Sequence, residues 1–447
     1  MDEAARLTGR IAVGIDDLRA FRWMAVPTPT EVTFELTQLD PDRVRVRAVG
    51  FAEAIVVLAD AYPAPTAPPL PPLQDLRSFP IDAEGLYRNR WMFHGPAYQG
   101  IRTIDAVGDD GIVGVIETGA APGALLDNAG QLLGLWVMLA VDRDRLAMPV
   151  GIRRMRFHGP HPEPGARLYC DVRLGVFDDR RVVADLVLGP LDGTPWCTIE
   201  AWEDRRFDTD ARLWNVLMWP ERALLSEPVA PPDRSGVVPH GPLLFRDTYG
   251  AAPTREQLFR RYLGERERVT YDAQTPRGQR SWLAGRIAAK DAVRRLLWQR
   301  GAGKMWPIEI GIETESSGRP VVRTGHAADD LRVSIAHKDD VAVAFAAIGV
   351  DVGVDVERVA ERGEAFAATA FTAEERALIL AGEDEAEWLT RLWTAKEAVG
   401  KCLGTGLSGN PRKLPVTDRT GERFLCHGHQ VETRRDGDHV IGWTYGP

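Results

Sequence analysis

"GVDVGVDVERV", residues Gly349 to Val359, sets the reading of the C-terminal half. Val350, Val352, Val354 and Val356 alternate with Asp351, Gly353, Asp355 and Glu357. A period of two marks a strand with one apolar face. The other face carries three acids and no Lys, Ser or Thr. Asp355 and Glu357 stand two apart, so their carboxylates leave the same face with Cα atoms about 7 Å apart. On this strand alone two readings stay open. One is a solvated acidic edge, a device that blunts edge pairing. The other is a pair of oxygen ligands for a hard dication such as Mg²⁺.

Working outward, "LWTAKEAVGK" (Leu392 to Lys401) reads as a helix in which Lys401 follows Glu397 by four and shares its face. A surface ion pair of that spacing is worth a few tenths of a kcal/mol. The alternative is a third metal carboxylate beside a phosphate-binding lysine. Trp393 suits either core or pocket wall. "VSIAHKDD" places Ser334 and His337 at a turn between strands, where the imidazole could donate to a phosphate oxygen. "SSGRP" adds Arg319 in a turn, and "WLAGRIAAK" adds Arg286 and Lys290 four apart. Each of these bases is ordinary on its own. Thr372 and Glu375 of "FTAEE" form a capping box that starts a helix.

In this order, "SGRP", "SIAH", "GVDVE", "FTAEE" and "WTAKEAVGK" resemble the surfactin-type 4′-phosphopantetheinyl transferases, over residues 243–447. The resemblance implies a fold of two similar α+β lobes with the ligand between them. It implies that Asp355, Glu357 and Glu397 hold Mg²⁺ on the pyrophosphate of coenzyme A, with Mg²⁺ and Mn²⁺ undistinguished. It assigns phosphate oxygens to His337 and Lys401 with Lys396 close by, and the 3′-phosphate and adenine end to Arg286, Lys290 and Arg319. The implied partner is an acyl carrier protein, whose serine receives the phosphopantetheine arm. Glu397 would take the serine proton.

A second landmark lies upstream. "YRNRWMFHGPAYQG" (Tyr87 to Gly100) precedes "GALLDNAGQ" (Gly123 to Gln131), which opens a helix apolar nearly all round and therefore buried. Asp127 sits near that helix start, with Gln131 one turn on. An acid there is often only a favourable dipole contact. Paired with the loop, it resembles the second hotdog of polyketide synthase dehydratases over residues 85–206, and residues 11–63 resemble the closing strands of the first. The resemblance implies that Asp127 protonates the leaving hydroxyl, helped by Gln131, while a His from the first hotdog removes the α-proton. That His is not found: no "HxxxGxxxxP" occurs, and the first His is His94, at a place often filled by Tyr. Either the front half of the dehydratase lies elsewhere or this part is inactive.

Composition narrows the classes. A 447-residue chain with 44% hydrophobic and 27% charged residues is ordinary globular material. A net charge of −9 argues against nucleic acid as main partner. Four scattered cysteines without a CxxC pair speak for a reducing cytoplasm rather than a disulfide frame or zinc site. No apolar run approaches the ~20 residues of a membrane span, and the start has no signal-peptide core. Two Pro-rich breaks, "YPAPTAPPLPPL" and "EPVAPPDRSGVVPHGP", divide the chain.

The expected class is α+β: an incomplete double-hotdog dehydratase followed by a two-lobed phosphopantetheinyl transferase. Expected boundaries are 1–63 for the end of the first hotdog, 64–84 for a linker, 85–206 for the second hotdog, 207–242 for a second linker and 243–447 for the transferase. The arrangement resembles the C-terminal end of an iterative, enediyne-like polyketide synthase of antibiotic biosynthesis. Other readings are a dehydratase half completed by a missing segment, and a non-catalytic hotdog module for docking or homodimerisation that carries the transferase.

Overall fold

Alternating valines, one buried apolar helix and two long amphipathic helices account for most of the architecture in the computed structural model. It describes residues 1–446 except 23, 25, 27–28, 66–69, 79–80, 230–240, 326–329 and 381. Parts of both expected linkers, 64–84 and 207–242, therefore lie outside the described residues. The chain divides into two units, Met1–Ala211 and Arg212–Pro447.

Unit one contains α1 (Asp2–Thr8), β1 (Ile11–Ala20), β2 (Phe34–Asp40), β3 (Arg43–Ala48), β4 (Ala52–Ala59), α2 (Ala83–Arg88), β5 (Ile101–Gly108), β6 (Gly111–Glu117), α3 (Ala124–Ala140), β7 (Leu146–Phe157), β8 (Arg167–Phe177), β9 (Arg181–Pro190) and β10 (Cys197–Phe207). All ten strands form one sheet in the order β2-β3-β4-β1-β7-β10-β9-β8-β6-β5. The four N-terminal strands do not form a sheet of their own. They are completed by antiparallel pairing of β1 with β7, Ile15 opposite Met155. Helix α3 lies on the sheet and buries Leu132, Leu133, Leu135 and Val137 completely. Its Gly130 faces the Trp202 indole, where an added Cβ would come within 2.9 Å of the ring.

Unit two contains α4 (Ala211–Met218), β11 (Glu227–Pro228), β12 (Leu243–Arg246), α5 (Ala252–Tyr262), α6 (Glu265–Asp272), α7 (Pro276–Gln299), β13 (Ile310–Thr314), β14 (Pro320–Thr324), β15 (Leu331–Lys338), β16 (Val341–Ile348), β17 (Val352–Arg358), α8 (Glu364–Ala370), α9 (Ala373–Arg376), α10 (Glu385–Leu403), β18 (Val416–Thr420), β19 (Arg423–Cys426), β20 (His429–Asp436) and β21 (His439–Tyr445). Two sheets, β11-β12-β16-β15 and β17-β21-β20-β19-β18, each carry one long helix. Helix α7 covers the first and α10 the second. The sheets meet where β15 packs beside β17, and Ser334 Oγ accepts the Val354 amide at 3.1 Å. This is the two-lobed plan that the resemblance implied and the sequence alone did not display.

The linker expected over 207–242 needs correction. Residues 212–229 are part of unit two. The amides of Leu225 and Ser226 donate to the buried Asp291 carboxylate of α7 at 3.0 and 2.9 Å, and Arg294 donates to the Pro220 carbonyl. Leaving any of these groups unpaired in the core would cost about 1–3 kcal/mol, so the segment is pinned. The capping box holds: Glu375 N reaches Thr372 Oγ1 at 3.2 Å and Thr372 N reaches Glu375 at 2.8 Å. The helix it starts is only one turn long. No helix among the described residues is long and apolar enough to cross a membrane.

Candidate functional site

The acidic face of β17 is not left to water. Its valines enter the core with Ile441 and Trp443 of β21, which aims the alternate residues the other way. There Asp355 is 6% exposed, and its Oδ1 accepts Lys401 Nζ of α10 at 2.8 Å. Glu357 faces Lys338 at 2.9 Å and Arg362 at 3.6 Å. Asp351 gathers Arg319 at 2.6 Å and Arg332 at 3.4 Å. Each acid thus meets a cation brought from another element.

Helix α10 reaches this face because Gly353 has no side chain. A Cβ there would stand 1.9 Å from the Ala398 carbonyl oxygen. Direct contact of helix and strand backbones sets Glu397 and Lys401 over Asp355. The helix is fixed at its ends by the Asp384 N-cap and a left-handed Gly404 C-cap. Burial pushes the Glu397 carboxyl up, and the charges of Asp355 and Glu357 push it further, against the pull of Lys401. Glu397 therefore feels both strand acids. His337, at the end of β15, is pushed down by burial and then by Lys401, which keeps its ring neutral near neutrality. A cleft of about 430 Å³ begins at Lys401 and runs past Ser334, Arg319, Arg332, Gly404 and Gly406.

A dication fits this set in charge and donor type. Asp355 Oδ2 is buried without a hydrogen-bond partner, the kind of orphaned oxygen that a cation would satisfy. The ligand shell is not preassembled. Among the described residues no group of three His, Cys, Asp or Glu is arranged to hold a metal, and lysines occupy Asp355 and Glu357.

Two expected ligand-binding lysines are corrected. Lys290 is wholly buried, pairs with Glu267 at 2.5 Å and donates to the Tyr262 carbonyl. Burial pushes its ammonium down to about 8, and it ties α6 to α7. Lys396 is also wholly buried and pairs with Glu375 at 2.7 Å. It donates to the carbonyls of Ala370 and Pro411 at 3.1 Å. Neither lysine has an open path to a ligand. Arg286 is 8% exposed, stacked over Trp282 at 4.4 Å, with Nη2 3.5 Å from Thr314 Oγ1. It does not line the cleft, whereas Arg319 does. Arg332, which lines the cleft and shares Asp351 with Arg319, is the residue the sequence reading missed. Only the alternation of "LRVSIAH" could have pointed to Arg332, which shares a strand face with Ser334.

In unit one, Asp127 and Gln131 stand together as expected. Gln131 Nε2 donates to Asp127 Oδ2 at 2.7 Å and lies 2.8 Å from the Tyr98 carbonyl oxygen. Tyr87 OH donates to Gln131 Oε1 at 3.0 Å and accepts from the Ile101 amide at 3.1 Å. His94 joins them: its Nε2 is 3.5 Å from Asp127 Oδ2.

Comparison with known proteins follows these two sites. Residues 351–444 match the family described as the 4′-phosphopantetheinyl transferase superfamily. A holo-[acyl-carrier-protein] synthase of Aromatoleum aromaticum is 37% identical over 93 residues, 18% of this chain and 70% of that enzyme. The chain belongs to the phosphopantetheinyl transferase superfamily. A holo-[acyl-carrier-protein] synthase of Chloroflexus aurantiacus is 40% identical over 96 residues, 20% of this chain and 66% of that enzyme. The chain thus spans just under two thirds of that relative. An L-aminoadipate-semialdehyde dehydrogenase-phosphopantetheinyl transferase of Schizosaccharomyces pombe is 30% identical over 146 residues, 29% of this chain and 55% of that enzyme. Residues 65–213, upstream of the transferase match, match the family described as polyketide synthase dehydratase N-terminal domain. The dehydratase domain of a mycocerosic acid synthase-like polyketide synthase is 19% identical, covering 46% of this chain and 77% of that one, at a TM-score of 0.36.

Proposed function

We propose that unit two transfers the 4′-phosphopantetheine arm of coenzyme A to a serine of an acyl carrier protein. The observation that carries this reading is the approach of Glu397, Lys401 and His337 to the strand acids Asp355 and Glu357, with Lys401 also lining a cleft that carries Arg319 and Arg332. Arg319 and Arg332 hold the nucleotide phosphates along the cleft. His337, neutral and exposed near the end of β15, donates to a phosphate oxygen. Lys401, at the junction of acids and cleft, balances charge on the leaving phosphate. Mg²⁺, held by Asp355, Glu357 and Glu397, supplies electrophilic stabilisation of the pyrophosphate when bound. Glu397 accepts the serine hydroxyl proton. The serine oxygen bonds to the β-phosphorus, the bond to the bridging oxygen breaks, and 3′,5′-ADP leaves.

The carrier belongs to a polyketide synthase in this reading, and the setting is cytoplasmic. The test is incubation of the chain with coenzyme A, Mg²⁺ and an apo-carrier domain, read as the mass gain of the arm. The wild type loads the carrier. Asp355→Ala, checked for folding by circular dichroism, does not; full loading by that variant would refute the metal site.

A second reading concerns unit one: removal of water from a 3-hydroxyacyl thioester. It is favoured by the Tyr87–Gln131–Asp127 chain of hydrogen bonds, which fixes Asp127 Oδ2 while the side chain stays 37% exposed. Homodimerisation through this unit stays an expectation, tested by sedimentation.

A further inference from the structure

We infer that His94 is the base of unit one, so that the acid–base pair for water elimination is contained between residues 87 and 131 of this chain. The inference rests on the dehydratase reading given above and supplies what the sequence lacked, a histidine at the site of Asp127.

Four observations carry it. His94 Nε2 and Asp127 Oδ2 lie 3.5 Å apart, and neither side chain is fully buried, at 17% and 37% exposed. The loop is held: Gln99 Nε2 donates to the His94 carbonyl at 2.8 Å, and the Gly100 amide donates to Asn128 Oδ1 at 2.8 Å. The Phe93 ring, itself 59% exposed, stacks on the imidazole with centroids 4.4 Å apart. His94 Nδ1 is buried without a partner. A histidine kept only as a strut would be expected to satisfy that atom.

The surroundings suit a base. Burial holds the imidazole below the usual histidine range, and the Asp127 charge opposes that only in part. The ring is therefore neutral near pH 7. The other titratable groups around the pair are the Tyr87 phenol of α2, pushed up to about 12 by burial, and Arg102 of β5, paired with Glu117 at 3.0 Å. Neither charges or discharges near neutrality.

The step balances within the pair. His94 Nε2 takes the proton of the α-carbon, and the C–H electrons form the α,β double bond. The C3–O bond breaks, its electrons staying on oxygen. The departing hydroxide takes the proton from the imidazolium and leaves as water. Asp127 stabilises the imidazolium in between, and Gln131 fixes Asp127.

The test uses the full chain with a 3-hydroxybutyryl thioester of pantetheine. Enoyl absorbance and uptake of deuterium from D₂O at the α-carbon are followed. The wild type is expected to form the enoyl thioester. His94→Gln should slow it by about 100-fold or more and abolish α-exchange. His94→Tyr, which keeps a ring on the Phe93 stack, should do the same while unfolding at the wild-type temperature. The rate should rise with pH through the His94 titration. In Asp127→Asn that limb should move lower, because the charge that raises the imidazole is gone. If both His94 variants keep full rate while Asp127→Asn loses it, the base is elsewhere and the dehydratase reading survives. If the wild type turns over no thioester, that reading falls and the inference falls with it.

Discussion

Asp127 in unit one and Asp355 in unit two are both acids on a buried element, yet they keep different company. Asp127 is approached by an amide, a neutral imidazole and, one bond further, a phenol. Asp355 is approached by an ammonium and lies within the field of two more carboxylates. A carboxylate among neutral groups keeps its place while a proton moves nearby. One among opposing charges holds a place that a stronger cation can claim. Under the functions proposed above, the same residue type supports proton transfer in one unit and charge neutralisation in the other, and the neighbours decide which.

The largest effect should separate two lysines of one helix. Lys396→Met leaves Glu375 buried and unpaired, and should lower stability by about 3–5 kcal/mol in denaturant unfolding of unit two. Lys401→Met removes a pair whose lysine is partly exposed, and should cost less stability than Lys396→Met while impairing carrier loading. Equal losses would break the distinction between anchor and site. Next, Glu397→Gln should reduce loading about 100-fold and leave enoyl formation by unit one unchanged, with Asp127→Asn giving the reverse pattern. A loss crossing from one activity to the other would show that the sites are not independent. Gln131→Ala should slow enoyl formation by roughly 10-fold, since it frees Asp127 without removing either charge. The smallest effect concerns salt. Raising ionic strength from 0.05 to 0.5 M, values chosen to shorten screening from about 14 to about 4 Å, should raise the KM for coenzyme A a few-fold through Arg319 and Arg332. Enoyl formation should barely respond.

Much of this was legible in local patterns. The alternation in "GVDVE" and the Glu397–Lys401 spacing located the strand face and helix face that meet, because both periodicities are short-range. The fates of Lys396 and Lys290 were not legible. Lys396 is next to Glu397, about 100° around the helix, so it points to the core where Glu375 waits. The capping box marked Glu375 as a helix start and gave no sign of its second duty. Lys290 finds Glu267, 23 residues upstream, a pairing set by how α6 crosses α7. The pinning of 212–229 by Asp291 and the joining of β1 to β7 failed to appear for the same reason: both depend on contacts far apart in sequence. His94 was visible as a residue, but its meeting with Asp127 required the loop and helix to be folded together.

Gly353 leaves one more consequence. At Gly353 the contact of α10 with β17 is main chain against main chain, so the span between the strand acids and Glu397 behaves as a machined tolerance rather than an adjustable screw. Exchanging the surrounding side chains can retune charge but cannot widen the gap. An engineer seeking to seat a larger ion would have to begin at this glycine, and even one methyl group there would shift the whole helix at once.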